Sequence, residues 1–202
     1  MSVRRSAAIK AVAYVLWAAA IAYGGGRLLE FTYTPAGPTQ TPLQWPAASP
    51  VPLQATGLTL LLFVHPQCPC TKATIGELAV LMAHCREKIH ASVFVLKPTV
   101  RPVHWDPSVM ISEISKIPGV EVSEDRDGRA ARLFGAMASG QCLVYDPSGR
   151  LVFEGGITSS RGHRGDNNGR SAIQSLALNG RSAIHRTPVF GCLLFEPQAV
   201  LK

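Results

Sequence analysis

Charge is scarce in this 202-residue chain: Asp, Glu, Lys and Arg together make up 16%, against 47% hydrophobic residues. A bias of that size points to a membrane segment inflating the apolar count. What charge there is sums to +7, but the arginines are scattered through polar stretches and the N-terminus. No basic stripe interleaved with aromatics is present, which excludes nucleic-acid binding as the organising function. No internal repeat is visible. Cysteine is sparse and odd in number: with five, at least one is free, metal-bound or paired outside the chain. The count alone does not fix the redox compartment.

Three compositional zones follow in order. Residues 1–31 carry Arg4, Arg5 and Lys10, then an uncharged run from Ala11 to Gly26. With Ser6–Ile9 added, and Lys10 snorkelling, the run reaches the roughly 20 residues that a helical bilayer crossing needs. The basic residues all precede it, so the positive-inside rule leaves the N-terminus in the cytoplasm and puts the remainder outside. Arg4-Arg5 reads as this ordinary charge bias and lacks the surrounding twin-arginine export pattern. A cleaved signal peptide is the alternative, with Ala18, Ala20 and Ala22 offering small-residue cleavage patterns. Either way the cysteines leave the cytoplasm, and an uncleaved inner-membrane anchor is the reading adopted.

Residues 32–57 hold six prolines (Pro35, Pro38, Pro42, Pro46, Pro50 and Pro52), few charges and no periodicity. Such a segment cannot sustain regular backbone pairing and is expected to be a spacer holding the domain off the membrane. Trp45 within it either docks on the domain or sits at the bilayer interface.

Residues 58–202 form the expected folded domain. The apolar run Leu58–Val64 predicts a strand covered on both faces. Thr71–Cys85 carries Ile75, Leu78, Ala79, Met82 and Cys85 at helical spacing. Ala91–Leu96 predicts a second buried strand, Ser108–Ile117 a short helix, Val120–Val122 a short strand and Asp127–Phe134 another helix. Cys142–Tyr145 and Leu151–Phe153 flank Asp146-Pro147-Ser148-Gly149, a hairpin signal. A polar Arg/Gly/Asn-rich stretch, 157–169, precedes a closing helix over Arg170–Leu178. The tail Pro188–Phe195 is apolar and expected to pack back on the domain. The order β-α-β-α-(β)-α-β-β-α implies an α/β fold, a mixed sheet with helices on both faces.

Between the first strand and the first helix lies His65-Pro66-Gln67-Cys68-Pro69-Cys70. A sulfur placed at a helix start meets exposed N–H groups and the positive end of the helix dipole, which stabilise a thiolate. The junction, together with Phe63, Cys68-Pro69, Glu77-Leu78, Asp127-Gly128, Phe134-Gly135, Tyr145-Asp146 and Gly149, resembles the thioredoxin-like superfamily over about residues 58–180. The closer likeness is to its exported, membrane-tethered TlpA-type branch. The wording His-Pro-Gln-Cys-Pro-Cys, with the later Gly-Gly-Ile-Thr, Arg-Gly-His and Asn-Asn-Gly, is similar to the bacterial RedB proteins. The resemblance implies a thioredoxin-like domain acting on protein thiols or disulfides in the periplasm. It says nothing of oligomeric state.

Two departures stand out. The branch's second cysteine falls at Thr71, one residue past Cys70, and one residue turns a helical side chain by about 100°. The region where the family places a cis-proline reads Ala138-Ser139-Gly140-Gln141. Beside it sits Cys142, which the family layout implies lies near the paired cysteines. Cys68 is therefore the expected nucleophile, with Cys70 or Cys142 as the second sulfur that releases a mixed disulfide. No cofactor is needed for that chemistry. The alternative is a metallochaperone-like protein holding Cu(I) through Cys68 and Cys70 with His65 or His163, a soft sulfur and imidazole set; a non-catalytic thioredoxin-like scaffold is a third reading. Cys85 is expected in the core, and Cys192 is expected to be buried or paired with another cysteine.

Overall fold

The computed structural model describes residues 2–37, 39–100 and 105–195. It divides into two units, residues 1–34 and 35–202. The first is a single helix, α1 (Ser2–Tyr33). Within it Ile9–Tyr33 is long and apolar enough to cross a membrane, and none of its most apolar window is buried. Ile9, Val12, Leu16, Trp17 and Ile21 are all exposed, and the uncharged run Ala11–Gly26 makes this stretch apolar on every side.

The second unit contains β1 (Leu58–Val64), α2 (Thr71–Cys85), β2 (Ile89–Lys97), α3 (Ser108–Ser115), β3 (Val120–Arg126), α4 (Arg129–Leu133), β4 (Gln141–Tyr145), β5 (Leu151–Gly156) and α5 (Asn168–Asn179). The five strands form one sheet in the order β3-β2-β1-β4-β5. β1, β2 and β3 run parallel, while β4 lies antiparallel to β1 and β5 antiparallel to β4. This is the thioredoxin-like arrangement of a βαβ unit joined to a β-hairpin and a closing helix, with β3 added at the edge.

Strand alternation sorts the core into two layers. Leu60, Leu62 and Val64 point to one face and meet Ile75, Leu78, Leu81 and Met82 of α2, Ile114 of α3, and Ile173 and Leu176 of α5. Leu61 and Phe63 point to the other and meet Phe94, Ala130, Ala131, Phe134 and Tyr145. Helix α4 is shorter than the sequence implies because Asp127 (φ 52°) and Gly128 (φ 66°) are both left-handed. The Asp125 carboxylate caps it instead, accepting from the N–H groups of Ala130 (2.8 Å) and Ala131 (3.0 Å).

The proline-rich stretch does not act as the free spacer expected of it. The described residues from Pro35 onward belong to the folded unit, and Trp45, Val51 and Leu53 pack on the layer that holds α4. Trp45 packs edge-on to Phe134 and Tyr145, with centroids 5.2 and 5.1 Å away. The Trp45 backbone N–H donates to Gly149 O (2.7 Å), and Leu151 N–H donates to Leu43 O (2.9 Å). The buried Tyr145 hydroxyl donates to Pro42 O at 2.8 Å. Proline forbids a continuous ladder but not apolar burial, and Trp45, Val51 and Leu53 supply enough of it to hold the strap down.

Candidate functional site

The end of β1 and the start of α2 are joined by a tight turn. Cys68 N–H donates to His65 O (3.0 Å), Thr71 N–H to Cys68 O (3.1 Å) and Ala73 N–H to Cys70 O (3.1 Å). The loop before β4 fixes this turn from the side. Gly140 N–H donates to Phe63 O (2.8 Å), His65 N–H to Ser139 Oγ (2.9 Å), and the Ser139 and Thr71 hydroxyls are 2.8 Å apart. Ser139 thus supplies polar contacts in the region where the family has its proline.

Cys68 is 3% exposed. Burial alone would raise its pKa, but hydrogen bonds from the Cys192 thiol, the Cys192 N–H, the Thr71 hydroxyl and the Cys70 N–H outweigh it and hold the thiol below its ordinary value. The Cys192 N–H to Cys68 Sγ distance is 3.4 Å. Thr71, at the position of the family's second cysteine, presents a hydroxyl to the sulfur instead of a thiol. That hydroxyl also reaches His65 O (3.2 Å), so its single proton is shared among alternatives, with Ser139 able to donate to Thr71 when Thr71 donates to sulfur. Cys70, at the N-cap of α2, is pushed the other way, first by burial and then by the charge of Cys68, with Arg161 opposing.

Cys142 is not in this group. It stands opposite Leu62 on β1 and Gly155 on β5, fully buried in the apolar layer under α2 and α5. Desolvation, the sole cause acting on it, pushes its pKa far up. The sequence expectation of a sulfur beside Cys68 and Cys70 is met by a different residue, Cys192. The reason is the phase of the strand: Gln141, Leu143 and Tyr145 point to one face, while Cys142 and Val144 point into the helix-covered core.

Cys192 arrives on the C-terminal tail, which does pack back. Val189, Phe190 and Leu194 are buried, and Leu193 pairs antiparallel with Ala138. Ser139 N–H donates to Cys192 O (2.8 Å) and Leu194 N–H to Met137 O (2.9 Å). Gly191 is needed for this approach, since a Cβ there would lie 1.8 Å from Ser139 O.

His65 and His163 do not join the sulfurs as ligands. His65 Nδ1 accepts the Gln67 N–H (3.1 Å), which places the ring proton on Nε2, and burial lowers its pKa and favours the neutral ring. It is therefore a turn-stabilising residue and not a cation beside the thiolate. His163 is exposed in the 157–169 stretch. Among the described residues no three Cys, His, Asp or Glu side chains are disposed to hold a metal ion. His104 lies outside the described residues.

The 157–169 stretch is docked on α2 by a buried carboxylate. Glu77, 2% exposed, accepts from Gly165 N–H (2.8 Å) and Asn167 Nδ2 (3.1 Å) and pairs with Arg170. Asn167 also caps α5, its Oδ1 accepting from Arg170 N–H at 2.8 Å. This accounts for much of the Arg/Gly/Asn wording as architecture. One residue of the stretch does reach the thiols: Arg161 opposes the upward shift of Cys70 and Cys192 and donates to Gly191 O (2.9 Å). Its only signal in the sequence is its place in Arg161-Gly162-His163.

No known protein-family model matches the sequence, and neither does any curated protein. Solved structures do. A hypothetical protein from Sinorhizobium meliloti 1021 superposes with a TM-score of 0.61 at 17% identity, covering 78% of this chain and 97% of the other. An uncharacterized conserved protein from Geobacillus kaustophilus superposes at 0.58 with 19% identity, covering 71% and 79%. A secreted Mycobacterium tuberculosis disulfide oxidoreductase gives 0.39 at 20% identity, over 49% of this chain and 68% of that one.

Proposed function

We propose that this protein is a membrane-anchored thiol–disulfide oxidoreductase of the exported thioredoxin-like branch, with its folded domain facing the periplasm and Cys68 as the nucleophile. One observation carries the reading: a nearly buried sulfur beside the start of a helix that accepts the Cys192 N–H at 3.4 Å and whose pKa is held below its ordinary value despite burial. A buried thiol kept only as a packing residue has its pKa raised by burial; a sulfur held the other way suits a thiolate that attacks disulfides. The apolar α1 and the charges preceding it favour the anchored, outward-facing topology.

Chemically, the Cys68 thiolate attacks one sulfur of a substrate disulfide, and the other leaves as a thiolate. A second protein sulfur then attacks Cys68 and releases the reduced substrate. Thr71 and the Cys70 and Cys192 N–H groups hold the negative charge before attack, while Ser139 orients Thr71.

The test uses full-length protein in detergent micelles, assayed for insulin reduction with dithiothreitol as the electron donor. Activity that disappears in Cys68→Ser supports the reading. Stoichiometric copper binding without reductase activity, or activity that survives Cys68→Ser, overturns it.

A further inference from the structure

We infer that Cys192, carried on the C-terminal tail, is the resolving thiol that attacks a Cys68 mixed disulfide, so that the working redox couple is Cys68–Cys192. The inference rests on Cys68 being the nucleophile and names the partner sulfur that the sequence left open between Cys70 and Cys142.

Three observations converge. First, the tail is held in register by backbone pairing and does not merely rest on the site. Ser139 N–H to Cys192 O and Leu194 N–H to Met137 O bracket the Ala138–Leu193 bridge, and Cys192 N–H points at Cys68 Sγ. Second, the rival sulfurs are poorly placed. Cys142 lies in the apolar core beneath α2 and α5. Cys70 is two residues from Cys68 inside a hydrogen-bonded turn, so joining them closes a very small, strained ring and disturbs the helix start. Cys192 belongs to a separate segment and meets neither restriction. Third, the tail covers the nucleophile and is partly exposed itself: Cys68 is 3% accessible, whereas Leu193, next to Cys192, is 44% accessible. A substrate reaches Cys68 by lifting a short surface segment, and the same segment returns a thiol to the site.

The protonation pattern fits this division. Burial, the hydrogen bond to Cys68 and the charges of Cys68 and Cys70 push Cys192 up to about 12, with Arg161 opposing. The resting proton therefore sits on Cys192. Once Cys68 is engaged in a mixed disulfide its charge is gone, and Arg161 remains to favour the Cys192 thiolate.

Cys68–S⁻ displaces R′–S⁻ from R–S–S–R′ and forms Cys68–S–S–R. Cys192 gives its proton to the departing thiolate and attacks the Cys68 sulfur, and R–S⁻ leaves. The substrate disulfide gains two electrons, the two cysteines lose them, and a dithiol donor restores the reduced pair.

To test this, reduced full-length protein in detergent micelles is mixed with glutathione disulfide, quenched with acid and alkylating agent, and mapped by mass spectrometry. Wild type is expected to yield a peptide pair linked through Cys68 and Cys192, and Cys70→Ser to form the same link. Cys192→Ser is expected to stall as the Cys68–glutathione adduct, with release of the second glutathione slowed about 100-fold by loss of the intramolecular thiol. The wild-type linkage map decides independently of how well any variant folds. A Cys68–Cys70 bond in wild type, closing as fast in Cys192→Ser, overturns the inference while leaving exchange at Cys68 intact. Absence of any Cys68 adduct overturns both.

Discussion

Cys68 and Cys142 are the same residue type, both almost inaccessible (3% and 0%), on one domain scaffold, and the structure drives them in opposite directions. Around Cys68 the backbone is turning from strand to helix and a distant segment lies alongside, so the Cys70 and Cys192 N–H groups are available to the sulfur. Around Cys142 the backbone is mid-sheet, its hydrogen bonds are committed to β1 and β5, and only apolar side chains remain to face the thiol. Burial does not decide what a cysteine is for. The availability of unspent donors does.

The sharpest test of that contrast is removal of each sulfur. Cys68→Ser is expected to lower insulin reduction at least about 1,000-fold. Next comes the support beneath it. Glu77→Ala leaves the mostly buried Arg170 with only the exposed Asp166 as its carboxylate and releases the 157–169 stretch from α2, at an expected cost of about 3 kcal/mol in urea denaturation. Cys142→Ser is expected to cost about 1–2 kcal/mol, since the hydroxyl finds no partner in the apolar layer, while reductase activity stays within about twofold. A larger loss of activity would mean that the two regions are coupled.

A smaller effect isolates one donor. Thr71→Val deletes a hydrogen bond to Cys68, so the pH midpoint for iodoacetamide alkylation of that residue is expected to rise by about half to one unit. An unchanged midpoint would assign the charge stabilisation to the backbone and Cys192 alone. Smallest, and opposite in sign at the two sites, is the effect of pH on stability. The Cys68 pKa is lowered on folding, so its contribution is present above 9.0 and is lost as pH falls through the folded value. The Cys142 pKa is raised, so its contribution is present below 9.0 and is lost as pH climbs beyond it. Denaturation midpoints of wild type and Cys142→Ser, compared from neutral to alkaline pH, are expected to converge above about pH 9.

Much of this was legible in the residues, for a physical reason. The strands β1 and β2 are apolar runs, α2 is a 3.6-period face, and the Asp146–Gly149 turn carries its own chemistry; each is a local signal. The position of Cys68 at a strand–helix junction is local too. What escaped were contacts between distant segments. Nothing near Trp45 announces Phe134 and Tyr145 as its seat, and the expected spacer proved to be a strap. Cys142 sits close to the site in the chain, but the two-residue strand period turns it inward. Cys192 sits far along the chain, and Gly191 and the pairing with 137–139 turn it toward Cys68. The apolar tail was expected to pack back, but its register was written only in the surface that receives it.

The distance along the chain between Cys68 and Cys192, 124 residues, carries one more consequence. A bond between neighbours such as Cys68 and Cys70 removes little freedom from the unfolded chain. One between Cys68 and Cys192 encloses nearly the whole domain, and the loop-entropy relation puts the resulting stabilisation at about 5 kcal/mol. Oxidation would then tie the segment that carries Cys192 to the start of α2 and close the domain into a circuit. The melting temperature of the domain would record its redox state, higher when oxidised and falling as a dithiol donor restores the reduced pair.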